Sequence, residues 1–175
     1  VIQEETTEDI EIMAAILPTD KPYFKTGVIE TFLKRIPWLL LLMVSATFTG
    51  MIITGFEEKL AASVVLTAFI PMLMDTGGNA GGQASATIIR GLSLGNIELR
   101  DIAKVIWKEI RVSILCGAAL AIVNFAKVML IDGLLLGNAE INAVVALVVC
   151  LTLVIAVFIA KVIGCTLPIL AKTIG

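Results

Sequence analysis

The chain is 175 residues long, 58% apolar and only 16% charged, with a mean hydropathy of +1.01, more apolar surface than a soluble core of this size can hide; lipid is its expected solvent. The net charge of −2 sums an acidic start and basic segments beside the apolar runs, so it selects no partner, and no nucleic acid is expected. Histidine is absent, and Cys116, Cys150 and Cys165 lie singly inside apolar stretches, which removes Ser/His, Cys/His and zinc-knuckle chemistry and puts enzymes far behind.

The chain begins with Val1 and a polar, acidic segment rather than a signal peptide, and reads as an excised fragment. Residues 1–34 are expected to be cytosolic: Thr6 or Thr7 caps a short helix, Ile10, Met13, Ala14 and Leu17 form its apolar stripe, and Pro18 ends it. Its other face stacks Glu4, Glu5, Glu8, Asp9 and Glu11 at helical spacing with no Lys or Arg among them, a repulsion that bound cations would relieve. A merely solvated face is the plainer alternative.

Residues 35–175 read as the membrane domain, an all-α arrangement of four spans. The first runs from Ile36 to Phe56, with Pro37 in its first turn; Ser45, Thr47, Thr49 and Thr54 are expected to bond back to the preceding turn. After Glu57-Glu58-Lys59 the second runs from Leu60 to about Arg90. Asn96 to Trp107 is expected to form a separate interfacial helix anchored by Trp107, followed by a third span, Val112 to Ile131, and a fourth from Ile141 to about Leu170. Lys21, Lys25, Lys34 and Arg35 precede the first span, and Arg90, Arg100, Lys104, Lys108 and Arg111 link the second and third. The positive-inside rule puts both groups, and both termini, in the cytoplasm.

The second span carries the polar run Asp75-Thr76-Gly77-Gly78-Asn79-Ala80-Gly81-Gly82-Gln83 near the bilayer centre. An ionised carboxylate there costs at least ~2.5 kcal/mol, so these groups must face protein or water. Asp75, Asn79 and Gln83 recur every four residues and form one stripe of oxygens, which suits a hard, hydrated cation such as Mg²⁺. Gly77 with Gly81 and Gly78 with Gly82 serve either close helix packing or a pore, and Asp75 could instead be a buried acid paired with Lys161 or Thr76. Lone Asn124 is expected to act as interhelical glue, and Lys161 to snorkel to the cytoplasmic interface.

The run from Pro71 to Gln83, followed by Arg90-Gly91-Leu92, resembles the second transmembrane helix of MgtE-type magnesium channels, and residues 4–15 resemble the connecting helix that joins that family's cytosolic sensor to its membrane domain. The resemblance implies a homodimer with five membrane helices per subunit in a bacterial inner membrane, and a pore on the dimer axis lined by the second and fifth helices. It also implies closure when cytosolic magnesium rises. The fifth helix, with its pore aspartate, would follow Gly175. The ion path expected comprises Asp75, Thr76, Gly77, Gly78, Asn79, Gly82 and Gln83, with Asp75 resting on the cost of a carboxylate in the membrane more than on the family's pattern, and the regulatory metal ligands expected from the stacked acids are Glu4, Glu8, Asp9 and Glu11. Some relatives carry Asn where this chain has Gly82, which shortens the polar ladder by one amide. The function expected is a passive, gated Mg²⁺ channel. A coupled cation transporter and a non-transporting scaffold are the alternatives; an intramembrane protease would need a second deep acid beside Asp75.

Overall fold

A computed structural model of the chain describes residues 23–61 and 63–174, which divide between Lys59 and Leu60 into two compact units. The expected acidic helix, including Glu4, Glu8, Asp9 and Glu11, lies outside the described residues.

In the first unit a 3-10 turn at Tyr23–Lys25 precedes a single long helix, α1, Val28–Gly55. It begins well before Ile36, because Glu30 and Lys34 pair one turn apart at 3.8 Å and Thr31 Oγ1 donates to the Gly27 carbonyl at 3.1 Å. Pro37 is therefore inside the helix rather than in its first turn, and the bond its missing N–H would make to Leu33 is forgone. Thr47 Oγ1 donates to Met43 O at 3.2 Å and Thr54 Oγ1 to Gly50 O at 3.0 Å, so these hydroxyls are satisfied within the helix.

The expected continuous second span is broken. Short helices at Glu57–Ala61 and Val64–Thr67 precede α2, Ile70–Ser93. A helix running through from Leu60 would need a bond from residue 71 to Thr67, and Pro71 has no N–H to give; in the first turn of α2 the same lack costs nothing. At its far end α2 stops on Gly95 (φ 68), with Gly95 N donating to Leu92 O at 3.2 Å and Asn96 N to Gly91 O at 2.9 Å. Asn96 thus closes α2 instead of opening a new helix.

No separate interfacial helix follows. A 3-10 turn at Leu99–Asp101 leads straight into α3, Ile102–Lys127, which is unbroken past Val112. The reason is packing: Ile102, Val105 and Ile106 close on Ala84, Ile88, Leu92, Cys165 and Ile169, so this face is covered by protein and the helix has no cause to turn along the membrane surface. Trp107 points outward, 60% exposed. The α3 backbone continues as a π-helix, Val128–Leu135, with Lys127 Nζ 2.8 Å from Asp132 Oδ2. Asn142 Oδ1 then accepts from Val144 N and Val145 N, both at 3.0 Å, and caps α4, Ala143–Ile174.

Among the described residues three segments, Val28–Gly55, Leu99–Leu135 and Ala143–Thr173, are long and apolar enough to cross a bilayer, and the chain is an all-α membrane protein. With 24 residues, α2 has the reach, about 36 Å, but not the apolarity. In the second unit α4 is central: α2 lies parallel against one side of it and α3 antiparallel against another.

Candidate functional site

The two faces of α2 differ sharply. Gly77, Ala80, Ala84, Ile88 and Leu92 are buried. Toward α4, a Cβ added at Gly77 would meet Ala156 Cβ at 4.0 Å, one at Gly81 would meet Ala160 O at 3.1 Å, and one at Gly164 would stand 2.9 Å from the Gly81 carbonyl carbon. The two helices touch backbone to backbone where Gly81 meets Ala160 and Gly164, and Gly77 lies one turn away against the Ala156 side chain. Gly77, expected in the ion path, is thus a packing residue facing away from the stripe.

The opposite face holds Asp75, Gly78, Asn79, Gly82 and Gln83, all exposed, with Thr76 half-buried at its edge. A Cβ at Gly78 or Gly82 would meet nothing within 4 Å, so this face is smooth and open. Asn79 Nδ2 donates to Asp75 Oδ2 at 3.1 Å. That bond uses the amide's donor side and leaves its oxygen as an outward acceptor. From Asp75 to Gln83 the stripe rises about 12 Å, long enough for a path rather than a point site. Asp75 forms no ion pair with Lys161, so that alternative falls away. Among the described residues no three His, Cys, Asp or Glu side chains converge into a cage.

Asn124 is 8% exposed and donates from Nδ2 to Cys150 Sγ on α4 at 3.6 Å, while Cys150 Sγ donates to Ala121 O at 3.2 Å. This is the interhelical bond expected of it. Lys161 does not snorkel: it is buried, as are Glu109 and Ser113 on α3. The signal for the α3 side was present in the spacing of Val105, Glu109, Ser113 and Gly117, four residues apart and all on the buried face.

The family model MgtE, described as a divalent cation transporter, matches residues 70–175, starting at the first residue of α2 and running through α3 and α4. The chain belongs to the MgtE family. It is 35% identical over all 175 residues to a protein of Thermus thermophilus named magnesium transporter MgtE, 35% identical over 156 residues to one of Bacillus subtilis with the same name, and 24% identical over 175 residues to a third, of Enterococcus faecalis. It covers 37%, 33% and 36% of their respective lengths, so it corresponds to about a third of each. MgtE is a family of transporters rather than enzymes, and its match covers all of α2, including the five exposed residues of the stripe.

Proposed function

We propose that this chain forms part of a gated, passive magnesium channel in which two copies meet at an axis and the stripe Asp75, Gly78, Asn79, Gly82 and Gln83 lines the ion path. The observation that carries the reading is the polar face of α2, which the described residues of its own unit leave uncovered although the segments before and after it in the sequence are apolar. Lipid cannot cover an ionised carboxylate without a cost of at least ~2.5 kcal/mol, so protein or water must. A second copy related by a two-fold axis brings the same stripe to the same place and encloses water between the two. The oxygens offered are few, hard and widely spaced, which suits a magnesium ion that keeps most of its water. The names of the relatives, magnesium transporters, favour the same ion.

The basic residues Arg90, Arg100, Lys104, Lys108 and Arg111 cluster where α2 ends and α3 begins, and Lys172 Nζ donates to Leu92 O there at 3.3 Å. This end is assigned to the cytoplasm of a bacterial plasma membrane. The membrane potential then draws a doubly charged ion inward with about 4.6 kcal/mol per 100 mV, twice the single-charge figure, so transport needs no coupled energy source.

Cysteines placed at Asn79 or Gln83 are expected to crosslink between copies and to react with aqueous thiol reagents, whereas cysteines at the apolar, exposed Leu115 and Val123 are not. Silence at both stripe positions would remove α2 from the axis. The acidic N-terminal segment is assigned the gate's magnesium sensor, with Glu4, Glu8, Asp9 and Glu11 as weak ligands whose occupation by magnesium favours the closed state. Replacing Glu4, Glu8 and Glu11 by Gln in the full-length protein should raise the cytosolic magnesium concentration that closes the channel; an unchanged closing concentration would exclude these acids.

A further inference from the structure

Two buried charges between α3 and α4 take no part in the stripe. Glu109 is 8% exposed and Lys161 6%, and among the described residues neither carries a hydrogen bond or a direct ion pair. Their levels along the helices coincide. The antiparallel pair is registered where Gly117 faces Val154 and where Cys150 Sγ donates to Ala121 O. About two turns back from Gly117 and about two turns on from Val154 therefore reach Glu109 and Lys161. The layer they share is closed on one side by the apolar cluster around Val157 and on the other by the cluster around Cys165. Ser113 belongs to it, its hydroxyl turned back to Ile110 O at 2.7 Å.

An isolated ion at such depth is strongly disfavoured, and opposite charges in a medium of low dielectric attract over distances at which water would screen them. We propose that Glu109 and Lys161 are each other's counter-ion, so that the protein behind α2 carries no net charge. The placement gives this a consequence for transport. Lys161 follows Ala160, whose carbonyl abuts Gly81, and an uncompensated ammonium there would stand behind Gly82 and Gln83 and repel a cation on the stripe, a divalent one twice as strongly as a monovalent one. That consequence rests on the ion path proposed along α2; the pairing itself does not.

The test uses Glu109→Gln, Lys161→Met and the double variant of the full-length protein, with thermal midpoints in detergent and magnesium influx into liposomes at matched amounts of folded protein. Each single change is expected to lower the midpoint, and Glu109→Gln to cut influx by about tenfold or more. The double variant, with no charge left in the layer, is expected to regain most of the lost midpoint and to recover influx to within about twofold of the unaltered protein. Losses that add in the double variant overturn the pairing. If a single variant does not fold, Glu109→Asp and Lys161→Arg, which keep the charges, serve instead: they are expected to retain at least about half the influx, and their complete loss overturns the pairing equally. Normal influx through an Asn79→Leu variant would sink the path along α2 without moving any midpoint, so the two readings fail separately.

Discussion

Asn79→Leu is expected to abolish magnesium influx while leaving folding and dimerisation intact. Asn79 is exposed at the centre of the stripe, one turn from both Asp75 and Gln83, and its amide nitrogen is already bonded to Asp75 Oδ2. Its oxygen is the acceptor left for a water of a hydrated ion. Leucine removes that acceptor and adds an apolar constriction, which closes a narrow path by dewetting as well as by weaker binding. A loss of at least tenfold, equivalent to about 1.4 kcal/mol in the barrier, is the minimum expected. Because the side chain is exposed and bonded only within α2 among the described residues of its unit, the thermal midpoint should hardly move. Asn124→Leu is the matched control: it breaks the bond to Cys150, worth roughly 0.6 kcal/mol, and should shift stability slightly with influx retained. Influx in liposomes at equal amounts of dimer decides between them, and normal uptake through the Asn79 variant would show that the stripe does not line the path.

Gly164→Val should have the largest effect on the fold. A Cβ at Gly164 would stand 2.9 Å from the Gly81 carbonyl carbon and 3.0 Å from its Cα, with backbone rather than a flexible side chain in the way. The helices must part, and the layers at Ala80 and Ala84 open with them. Overpacking of a tight core costs about 1–3 kcal/mol, and a clash with main chain belongs at the upper end or beyond. A lowered thermal midpoint in detergent and a fall in influx should appear together, since α2 loses its backing. Gly78→Ala is the counterpart: nothing lies within 4 Å of the added carbon, and the midpoint should hold or rise slightly. An unaffected Gly164 variant would mean that α2 and α4 are not in backbone contact.

Much of this was legible in the chain itself, where the pattern is periodic and local. Long apolar runs gave the membrane class. Four-residue spacing put Asp75, Asn79 and Gln83 on one face whatever the surroundings, because the helical repeat depends only on the backbone. A lone amide among apolar neighbours predicted the interhelical role of Asn124 for the same kind of reason.

Other features depended on which helix covers which face, and no local pattern contains that. Gly77 and Gly78 are adjacent and chemically identical, yet one lies against Ala156 and the other has open space, because α4 runs along only one side of α2. The stretch from Ile102 to Trp107 has the amphipathic spacing of an interfacial helix. It became the start of α3 because Ala84, Ile88, Leu92, Cys165 and Ile169 offered its apolar face a protein partner. Lys161 sits where an interfacial lysine would be read from sequence, and only the crossing of α3 over α4 buries it on a level with Glu109. What the sequence determined by itself was the composition of each helix face. The tertiary structure decided which face was covered, because burial depends on neighbours distant in sequence.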